Sequence, residues 1–203
     1  MIKNIIFDFG GVLMDWNPRY YFKDYFKDDE KMEFFLNSIA TNEWNAQQDK
    51  GRALKEATDL LVKQHPDWEK EIRGYYDNWT TMLRGEIPQG VSVLKELAKT
   101  RYSLYGLTNW SHETFPYALE NYDFFQLFEG KIVVSGEEKL IKPDPEIWHV
   151  LLKRYNLKPE ESVFIDDNFE NCKTAKSLGF QTVWITESTD LKKELIDLGV
   201  KFS

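Results

Sequence analysis

The sequence is poor in the residues that form disulfides and zinc sites. Its one cysteine, Cys172, has no partner for a disulfide within the chain, which agrees with a reducing compartment. We expect Cys172 to pack as a small apolar residue on a helix face. Three histidines are present, but they lie far apart in the sequence, so a zinc site is not expected.

Long apolar runs and basic clusters are also absent. No stretch approaches the roughly 20 apolar residues that a membrane span needs, and the first residues continue into a strand-like segment without a signal-peptide pattern. We therefore expect a cytoplasmic protein with no membrane partner. The 34 acidic residues outnumber the 26 basic ones, and no broad group of Lys and Arg exists to neutralise a run of phosphates. Nucleic acid is therefore not expected as a partner.

The chain is well supplied with material for a hydrophobic core. Its 203 residues are 42% apolar and 15% aromatic, which excludes a disordered chain. This length exceeds the usual single domain of about 100 to 150 residues but falls short of two full domains. We expect one core with a modest insertion, in a monomer, with a weak dimer as the alternative.

Short β-rich apolar runs alternate with helix-like segments over most of the chain. Each run is typical of a strand buried on both faces, and the alternation predicts an α/β fold with a five-stranded parallel sheet. Asp144 before Pro145 predicts a helix start, and Gly179 predicts a helix end after Leu178. The predicted strands cover residues 5–9, 103–107, 131–134, 162–165 and 182–185, and the predicted helices between them cover residues 91–99, 113–121, 145–155 and 171–178.

The segment from residue 17 to residue 85 has a helical pattern and no strand-like run. Because it is too long for an ordinary crossover between two strands, we expect it to form a small helical bundle, which we call the cap. The predicted domains are a core of residues 1–16 and 86–203 and a cap of residues 17–85. One cap helix is expected to begin after Asn17, and others to cover residues 31–39, 53–64 and 66–82.

Polar residues follow successive predicted strands at the point where each strand ends. Taken alone, each is typical of a turn, a helix cap or a solvated loop. Ligands of open parallel sheets bind beyond the carboxyl ends of the strands, so their combined occurrence there indicates one site. In chain order these residues are Asp8 and Gly10, Thr108 and Asn109, Lys142, and Asp166 and Asp167.

This set of residues suits phosphoryl transfer. The carboxylate of Asp8 can attack phosphorus to give an acyl phosphate, which water then hydrolyses. Carboxylates gathered at one edge repel each other unless a hard cation lies among them, and Mg²⁺ is the expected one. The groups expected to bind the phosphoryl oxygens are the Lys142 ammonium, the Thr108 hydroxyl, the Asn109 amide, and the backbone amides around Phe9 and Gly10.

Four segments, FDFGGVL, LTNWS, KPDPEIW and FIDDNFENCKTAKSLG, together resemble the motifs of the haloacid dehalogenase superfamily. The resemblance covers nearly the whole chain and is to phosphatases with a helical cap, especially the bacterial sugar-phosphate type that includes enzymes acting on glucose 1-phosphate. It implies a Rossmann-like core with strand order 5-4-1-2-3. It also implies Mg²⁺ as cofactor and a small phosphorylated metabolite as substrate.

The resemblance also implies a role for each site residue. Most phosphatases of the family carry an aspartate two residues after the nucleophile, where this chain has Gly10, so the usual general acid and base is missing. Asp15 is one substitute, with a turn or hinge role as the alternative. The implied roles are nucleophile and metal ligand for Asp8, backbone metal ligand for Gly10, direct metal ligand for Asp167 with Asp166 beside it, phosphate binding for Thr108 and Asn109, and a clamp between nucleophile and phosphate for Lys142.

Two other functions stay open. A dehalogenase would use the same aspartate against carbon without a metal, and the acidic pair argues against it. The second is a phosphatase fold that is kept as a binding or regulatory module, and the presence of both Asp8 and Lys142 argues against it.

We expect residues of the cap to contact the substrate and so to determine specificity, although most of the tryptophans should serve in packing. The cap candidates are Trp44, Asp49, Lys50, Arg52, Trp68, Trp79 and Arg84.

Overall fold

A sheet of five parallel strands forms the centre of the computed structural model, which describes residues 1–202. Its strands are β1 (Asn4–Phe7), β4 (Ser103–Thr108), β5 (Ile132–Val134), β6 (Ser162–Asp166) and β7 (Gln181–Trp184). The strands lie side by side in the order β5-β4-β1-β6-β7. All residues of β1 are buried, as expected for the central strand of a sheet covered on both faces.

The strand numbers differ from the predicted ones because the chain has seven strands rather than five. Two further strands, β2 (Met14–Trp16) and β3 (Leu83–Glu86), form a separate antiparallel pair. The expectation that residues 17–85 contain no strand is therefore wrong at its end. If only the five strands of the parallel sheet are counted, in chain order, their spatial order is 3-2-1-4-5. Starting from the opposite edge of the sheet, the same order is 5-4-1-2-3.

The strand register places the ends of three neighbouring strands together. In β1, Phe7 lies opposite Gly106 of β4 on one side and Ile165 of β6 on the other. Because all three strands run in the same direction, the residues that follow them meet at one edge of the sheet.

Helices pack on both faces of the sheet. Alternate residues of β1 point to opposite faces, so Ile5 and Phe7 belong to one hydrophobic cluster and Ile6 to another. The side chain of Asp144 accepts a hydrogen bond from Glu146 at the predicted helix start, and Gly179 has the left-handed φ predicted at a helix end. The helices are α6 (Pro88–Leu97), α7 (Phe115–Asn121), α8 (Ser135–Glu138), α9 (Glu146–Tyr155), α10 (Phe169–Ser177) and α11 (Leu191–Asp197).

The remaining helices lie between β2 and β3, in the segment predicted as the cap. They are α1 (Arg19–Phe26), α2 (Asp29–Ser38), α3 (Asn42–Asp49), α4 (Leu54–Gln64) and α5 (Glu69–Asp77). Phe22, Phe35, Ile72 and Tyr75 centre a hydrophobic cluster of their own there. We propose that the cap is a separate packing unit on this basis. No helix in the described residues is long and apolar enough to cross a membrane.

Two details of the cap differ from prediction. The single helix predicted over residues 66–82 is instead α5 flanked by two short 3-10 turns, Pro66–Trp68 and Trp79–Met82. Helix α3 was not predicted, because its sequence NEWNAQQD has too few apolar residues to show a helical period. It starts at an N-cap, where the Thr41 side chain accepts a hydrogen bond from the Trp44 backbone.

Candidate active site

Three aspartates converge at the carboxyl edge of the sheet. Asp8 directly follows β1, Asp166 ends β6, and Asp167 comes next in the chain. One carboxylate oxygen from each lies within 4.8 Å of the other two. Asp8 and Asp166 are buried, whereas Asp167 is exposed. The predicted meeting of carboxylates from two separate strands is therefore observed.

Lys142 brings a positive charge into this cluster from the loop before α9. Its Nζ lies 3.0 Å from Asp8 Oδ1 and 2.6 Å from Asp166 Oδ2, and it donates to the Leu107 carbonyl at 2.9 Å. The lysine side chain is fully buried. Burial alone lowers the pKa of Lys142, but the two carboxylates more than offset this, so the net pKa is raised. The ammonium charge is thus fixed between two aspartates.

The Asp8 carboxylate is strongly affected by its surroundings. Burial raises the pKa of Asp8 to about 7, because attraction to Lys142 only partly offsets desolvation and repulsion from Asp166 and Asp167. Although Lys142 forms an ion pair with Asp8 Oδ1, that oxygen accepts no well-aligned hydrogen bond from residues 1–202. A buried oxygen without a donor, facing two further carboxylates, suits a cation. The donor set of hard oxygens fits Mg²⁺.

The two neighbouring aspartates of β6 have different surroundings. Asp166 Oδ1 accepts hydrogen bonds from the Asn168 backbone at 2.8 Å and the Asn171 amide at 3.1 Å, while its other oxygen pairs with Lys142. These contacts hold Asp166 in place from both sides. Asp167, by contrast, is the solvent-exposed member of the cluster, and its pKa is raised by partial burial and by Asp166. The predicted direct role of Asp167 and accompanying role of Asp166 are compatible with this difference.

Sequence reasoning missed Asn171, although it is 4% exposed and its amide contacts both oxygens of Asp166. The signal that the sequence offered was its position five residues after Asp166, in the first turns of α10. A buried asparagine there must find a polar partner, and the preceding strand end supplies one.

The turn after β1 brings the backbone close to the aspartates. Gly11 has a φ of +67°, and a Cβ at this position would lie 2.1 Å from Asp167 Oδ2, so only glycine fits. Four backbone hydrogen bonds close the turn: Val12, Leu13 and Met14 donate to the Phe9 carbonyl, and Gly11 donates to the Met14 carbonyl. None uses the Gly10 carbonyl, which leaves it available for the predicted metal contact.

Phe9 fixes this turn on the core. Its ring is buried and stacks on Phe115 with 6.1 Å between ring centroids. A Cβ at Gly106 would lie 2.3 Å from the tip of the Phe9 ring, so the glycine in β4 makes room for it. The aromatic anchor holds the backbone beside Asp8 rigid. The predicted phosphate contact of the Phe9 backbone amide stays a prediction.

Thr108 and Asn109 end β4 next to Asp8. Thr108 is 1% exposed. The side-chain oxygen of Asn109 accepts a hydrogen bond from the Lys142 backbone at 2.9 Å, and its amide donates to the Lys142 carbonyl at 3.0 Å. Asn109 thus positions the lysine loop, and its predicted phosphate contact, like that of Thr108, stays a prediction.

A pocket of about 120 Å³ opens beside the turn after β1. Gly10 and Asn109 line it from the core, and Asn45 and Asp49 line it from α3. Its apolar walls are Met14, Trp16, Tyr76, Trp79 and Trp110. These walls come from both the core and the cap, so the pocket joins the two next to the aspartate cluster.

Only two of the seven cap candidates, Asp49 and Trp79, line this pocket. Trp44 packs on Tyr75 and Tyr76, Trp68 packs on Phe35, Arg52 bonds to Gln48, Lys50 is exposed, and Arg84 lies 3.7 Å above the ring of Tyr20. Sequence reasoning missed Trp16, Tyr76 and Trp110. The LTNWS segment contains Trp110 immediately after two predicted site residues, and that position was the available signal.

Asp15 does not line the pocket. It lies in β2, where both of its carboxylate oxygens accept from the Tyr20 hydroxyl, at 2.9 and 3.0 Å. Arg84 of β3 covers the same tyrosine ring. These contacts connect the strand pair to α1 and favour the hinge role over the catalytic one.

Comparisons with known proteins agree with this geometry. A sequence model of the family described as "Haloacid dehalogenase-like hydrolase" matches residues 5–185. The chain is 31% identical over 197 residues to sesquiterpene phosphatase astK of Aspergillus oryzae, covering 97% of this chain and 96% of that protein. It is 26% identical to D-ribitol-5-phosphate phosphatase of Bacteroides thetaiotaomicron, covering 96% of this chain and 97% of that protein.

A solved structure is similar over the whole chain. It is a HAD family enzyme of Bacteroides thetaiotaomicron in complex with magnesium and inorganic phosphate. The TM-score is 0.71 and the sequence identity 27%, with 96% of this chain and 99% of that chain covered.

Proposed function

The chain belongs to the haloacid dehalogenase-like hydrolases, and we propose that it is a magnesium-dependent phosphatase that cleaves a small phosphate monoester through a phosphoaspartate on Asp8. The observation that carries this proposal is the convergence of Asp8, Asp166 and Asp167 around the buried ammonium of Lys142. A displacement at carbon needs no cation among its carboxylates, so this cluster favours phosphorus over carbon as the centre attacked.

In the proposed reaction, one Asp8 oxygen attacks phosphorus and the ester bond to the leaving alcohol breaks. Water then attacks the same phosphorus, which releases inorganic phosphate and restores the Asp8 carboxylate. Lys142 contacts Asp8, and its charge favours the ionised form of the nucleophile and helps to orient it. We assign the binding of the phosphoryl oxygens to the backbone amides of the glycine turn and to the Thr108 hydroxyl.

We propose that Asp8, Asp167 and the Gly10 carbonyl hold the magnesium ion, with Asp166 beside them. When bound, the cation neutralises charge on the phosphoryl oxygens and removes the repulsion among the carboxylates. Similarity to a structure containing magnesium and inorganic phosphate supports this choice of metal.

Magnesium removal tests the metal site. We expect EDTA to abolish hydrolysis of p-nitrophenyl phosphate and Mg²⁺ to restore it, because the three carboxylates otherwise repel both each other and the substrate. Asp167→Asn should raise the Mg²⁺ concentration needed for half-maximal activity by about tenfold or more, the equivalent of roughly one charged contact.

Glu170→Gln is the matched control for this experiment. Glu170 is an exposed carboxylate three residues after Asp167, and it pairs with Lys173 rather than with the cluster. Its Mg²⁺ requirement should equal that of the unaltered protein. Full activity in EDTA, or an equal shift in both variants, would show that the carboxylates do not hold a metal.

The pocket walls bear on the substrate class. Named relatives include a sesquiterpene phosphatase and a D-ribitol-5-phosphate phosphatase, so the family membership leaves both an apolar and a polyol ester open. Four aromatic rings and a methionine line the pocket, and no basic side chain of the described residues does. Aromatic walls gain most from covering apolar surface. We therefore favour an ester with an apolar organic group over a sugar phosphate.

A series of alkyl phosphates tests this preference. We expect kcat/KM to rise with chain length from butyl to octyl phosphate, because each buried CH₂ contributes about 0.8 kcal/mol, or roughly fourfold. Steady-state release of phosphate measures each ester. A flat series, together with faster turnover of glucose 1-phosphate or ribitol 5-phosphate than of octyl phosphate, would instead support the sugar-phosphate class.

A further inference from the structure

We propose that Asp49, which the cap carries into the pocket, is the general acid and base of the reaction. In this protein it would take over the task of the aspartate that most family phosphatases carry where Gly10 stands. The inference rests on the proposed phosphatase function. It concerns the proton given to the leaving alcohol and the proton taken from the attacking water. Neither transfer has been assigned to the aspartate cluster or to Lys142.

The position of Asp49 is the first observation. It is the last residue of α3, and it lines the same pocket as Gly10 and Asn109, which adjoin the nucleophile. A Cβ built on Gly10 would have no atom within 4 Å. The space beside Gly10 is therefore open from the core side, and Asp49 of the cap lines the same pocket.

A chain of hydrogen bonds orients the Asp49 carboxyl group. Gln48 donates to the Tyr76 hydroxyl at 3.0 Å, Tyr76 donates to the Asn45 oxygen at 2.9 Å, and the Asn45 amide donates to Asp49 Oδ2 at 3.1 Å. Gln48 is fully buried. Such a network holds one rotamer of the carboxyl group, as a proton donor at a fixed place requires.

Asp49 is also tied to the core loop that follows Thr108. The Ser135 hydroxyl donates to the Asp49 backbone carbonyl and accepts from the Trp110 backbone. The Ser111 backbone amide lies near the Asp49 carboxyl group and lowers its pKa. Residues 108 and 109, which directly precede Trp110 and Ser111, are the proposed phosphate binders. In this position of the cap, these contacts therefore hold Asp49 at a fixed distance from the proposed phosphate site.

The electrostatic surroundings suit proton exchange near neutrality. Removal from water raises the pKa of Asp49 to about 7, and the nearby Ser111 backbone amide offsets this only in part. Arg52 does not pair with it, since that guanidinium bonds to the Gln48 side chain. An acid that is half-protonated near pH 7 can both give and take a proton. The charge of Asp49 acts on Tyr75 and Tyr76, and Arg52 and Glu113 act on Tyr76 in turn.

The proton balance follows directly. In the first step the Asp8–phosphorus bond forms, the bond from phosphorus to the ester oxygen breaks, and that oxygen takes the proton of Asp49 to leave as an alcohol. In the second step the Asp49 carboxylate accepts a proton from the attacking water, the Asp8–phosphorus bond breaks, and inorganic phosphate leaves. Asp8 is then a carboxylate and Asp49 is protonated, as at the start.

The test compares two esters in Asp49→Asn. An alkyl phosphate needs a proton on its leaving oxygen, whereas p-nitrophenolate leaves without one. We expect kcat/KM for octyl phosphate to fall by about 10²-fold or more, and kcat/KM for p-nitrophenyl phosphate to change by less than about threefold. Because the second step also loses its base, p-nitrophenyl phosphate should give a burst of about one p-nitrophenol per protein, followed by slow turnover.

Glu113→Gln is the matched control, since Glu113 is a neighbouring carboxylate that bonds to the Leu54 backbone. It should leave the ratio of the two kcat/KM values unchanged. Equal losses for both esters in Asp49→Asn, without a burst, would overturn the inference while leaving the phosphatase proposal in place. If the unaltered protein hydrolyses neither ester, the proposed function itself fails.

Thermal unfolding tests whether Asp49→Asn is folded. Because the pKa of Asp49 is raised on folding, the unaltered protein loses stability as pH rises from about 4 to about 7, and the loss is constant above that. The amide does not titrate, so the melting temperature of the variant relative to the unaltered protein should rise over the same interval. A variant that melts lower throughout this interval, with equal losses for both esters, would assign Asp49 a structural role only.

Discussion

Asp8→Asn is expected to lower kcat by about 10⁴-fold or more while the protein stays folded. The amide cannot form the acyl phosphate, so the reaction loses its covalent step rather than one contact. Folding should survive, because the substitution keeps the shape of the side chain and removes a buried carboxylate whose pKa is raised to about 7. Steady-state kinetics with Mg²⁺ and thermal unfolding measure both effects.

Asp15→Asn is the matched control for this variant. Asp15 lies only seven residues further along the chain, but its carboxylate is bonded to Tyr20 and not to the cluster. It should retain most of the activity. Acid quenching of the unaltered protein during turnover should trap phosphate on the peptide that contains Asp8. Turnover by Asp8→Asn above about 1% of normal would mean that another group attacks phosphorus.

Lys142→Met should damage both catalysis and folding. The ammonium group contacts Asp8 at 3.0 Å and Asp166 at 2.6 Å, and its side chain is fully buried. Its removal leaves two buried carboxylates without a positively charged partner, which costs about 3 to 5 kcal/mol of unfolding free energy. The loss of charge opposite the phosphoryl group should lower kcat by about 10²- to 10³-fold. Urea unfolding and kinetics at neutral pH measure the two losses.

Two further variants separate the effects of charge from those of volume. Lys153→Met changes an exposed lysine of α9 and should alter neither property. The double variant of Lys142→Met with Asp166→Asn removes one of the stranded carboxylates, so it should regain part of the lost stability without regaining activity. If Lys142→Met unfolds at the same urea concentration as Lys153→Met, the buried ion pairs do not stabilise this site.

The strands of the sheet and the aspartate cluster could be predicted because their signals are local. Each strand is a short apolar run, and Asp8 and Asp166 lie at or just after strand ends, where a parallel sheet must bring them together. Lys142 was expected to follow a strand, but α8 lies between it and β5. Strands β2 and β3 were missed because runs of three and four residues are too short to show an alternation. Their pairing depends on the cap returning the chain to its starting point.

The pocket could not be predicted in the same way. Trp16, Tyr76 and Trp110 are far apart in the sequence, and only the packing of the cap on the core brings their rings to one cavity. Helix α3, which carries Asp49, has almost no apolar face and forms because its N-cap and its contacts with α8 support it. Both the pocket and helix α3 depend on tertiary contacts, which the pattern of a single sequence does not show.

The walls of the pocket have a spectroscopic consequence. Three of the seven tryptophans, Trp16, Trp79 and Trp110, surround the space where the organic group of the ester would lie. An occupant would displace water from these indoles, so their ultraviolet emission should shift in wavelength and intensity when a ligand enters. Equilibrium titration with a non-hydrolysable phosphonate would therefore follow binding in the protein as it stands, with no added dye and no turnover.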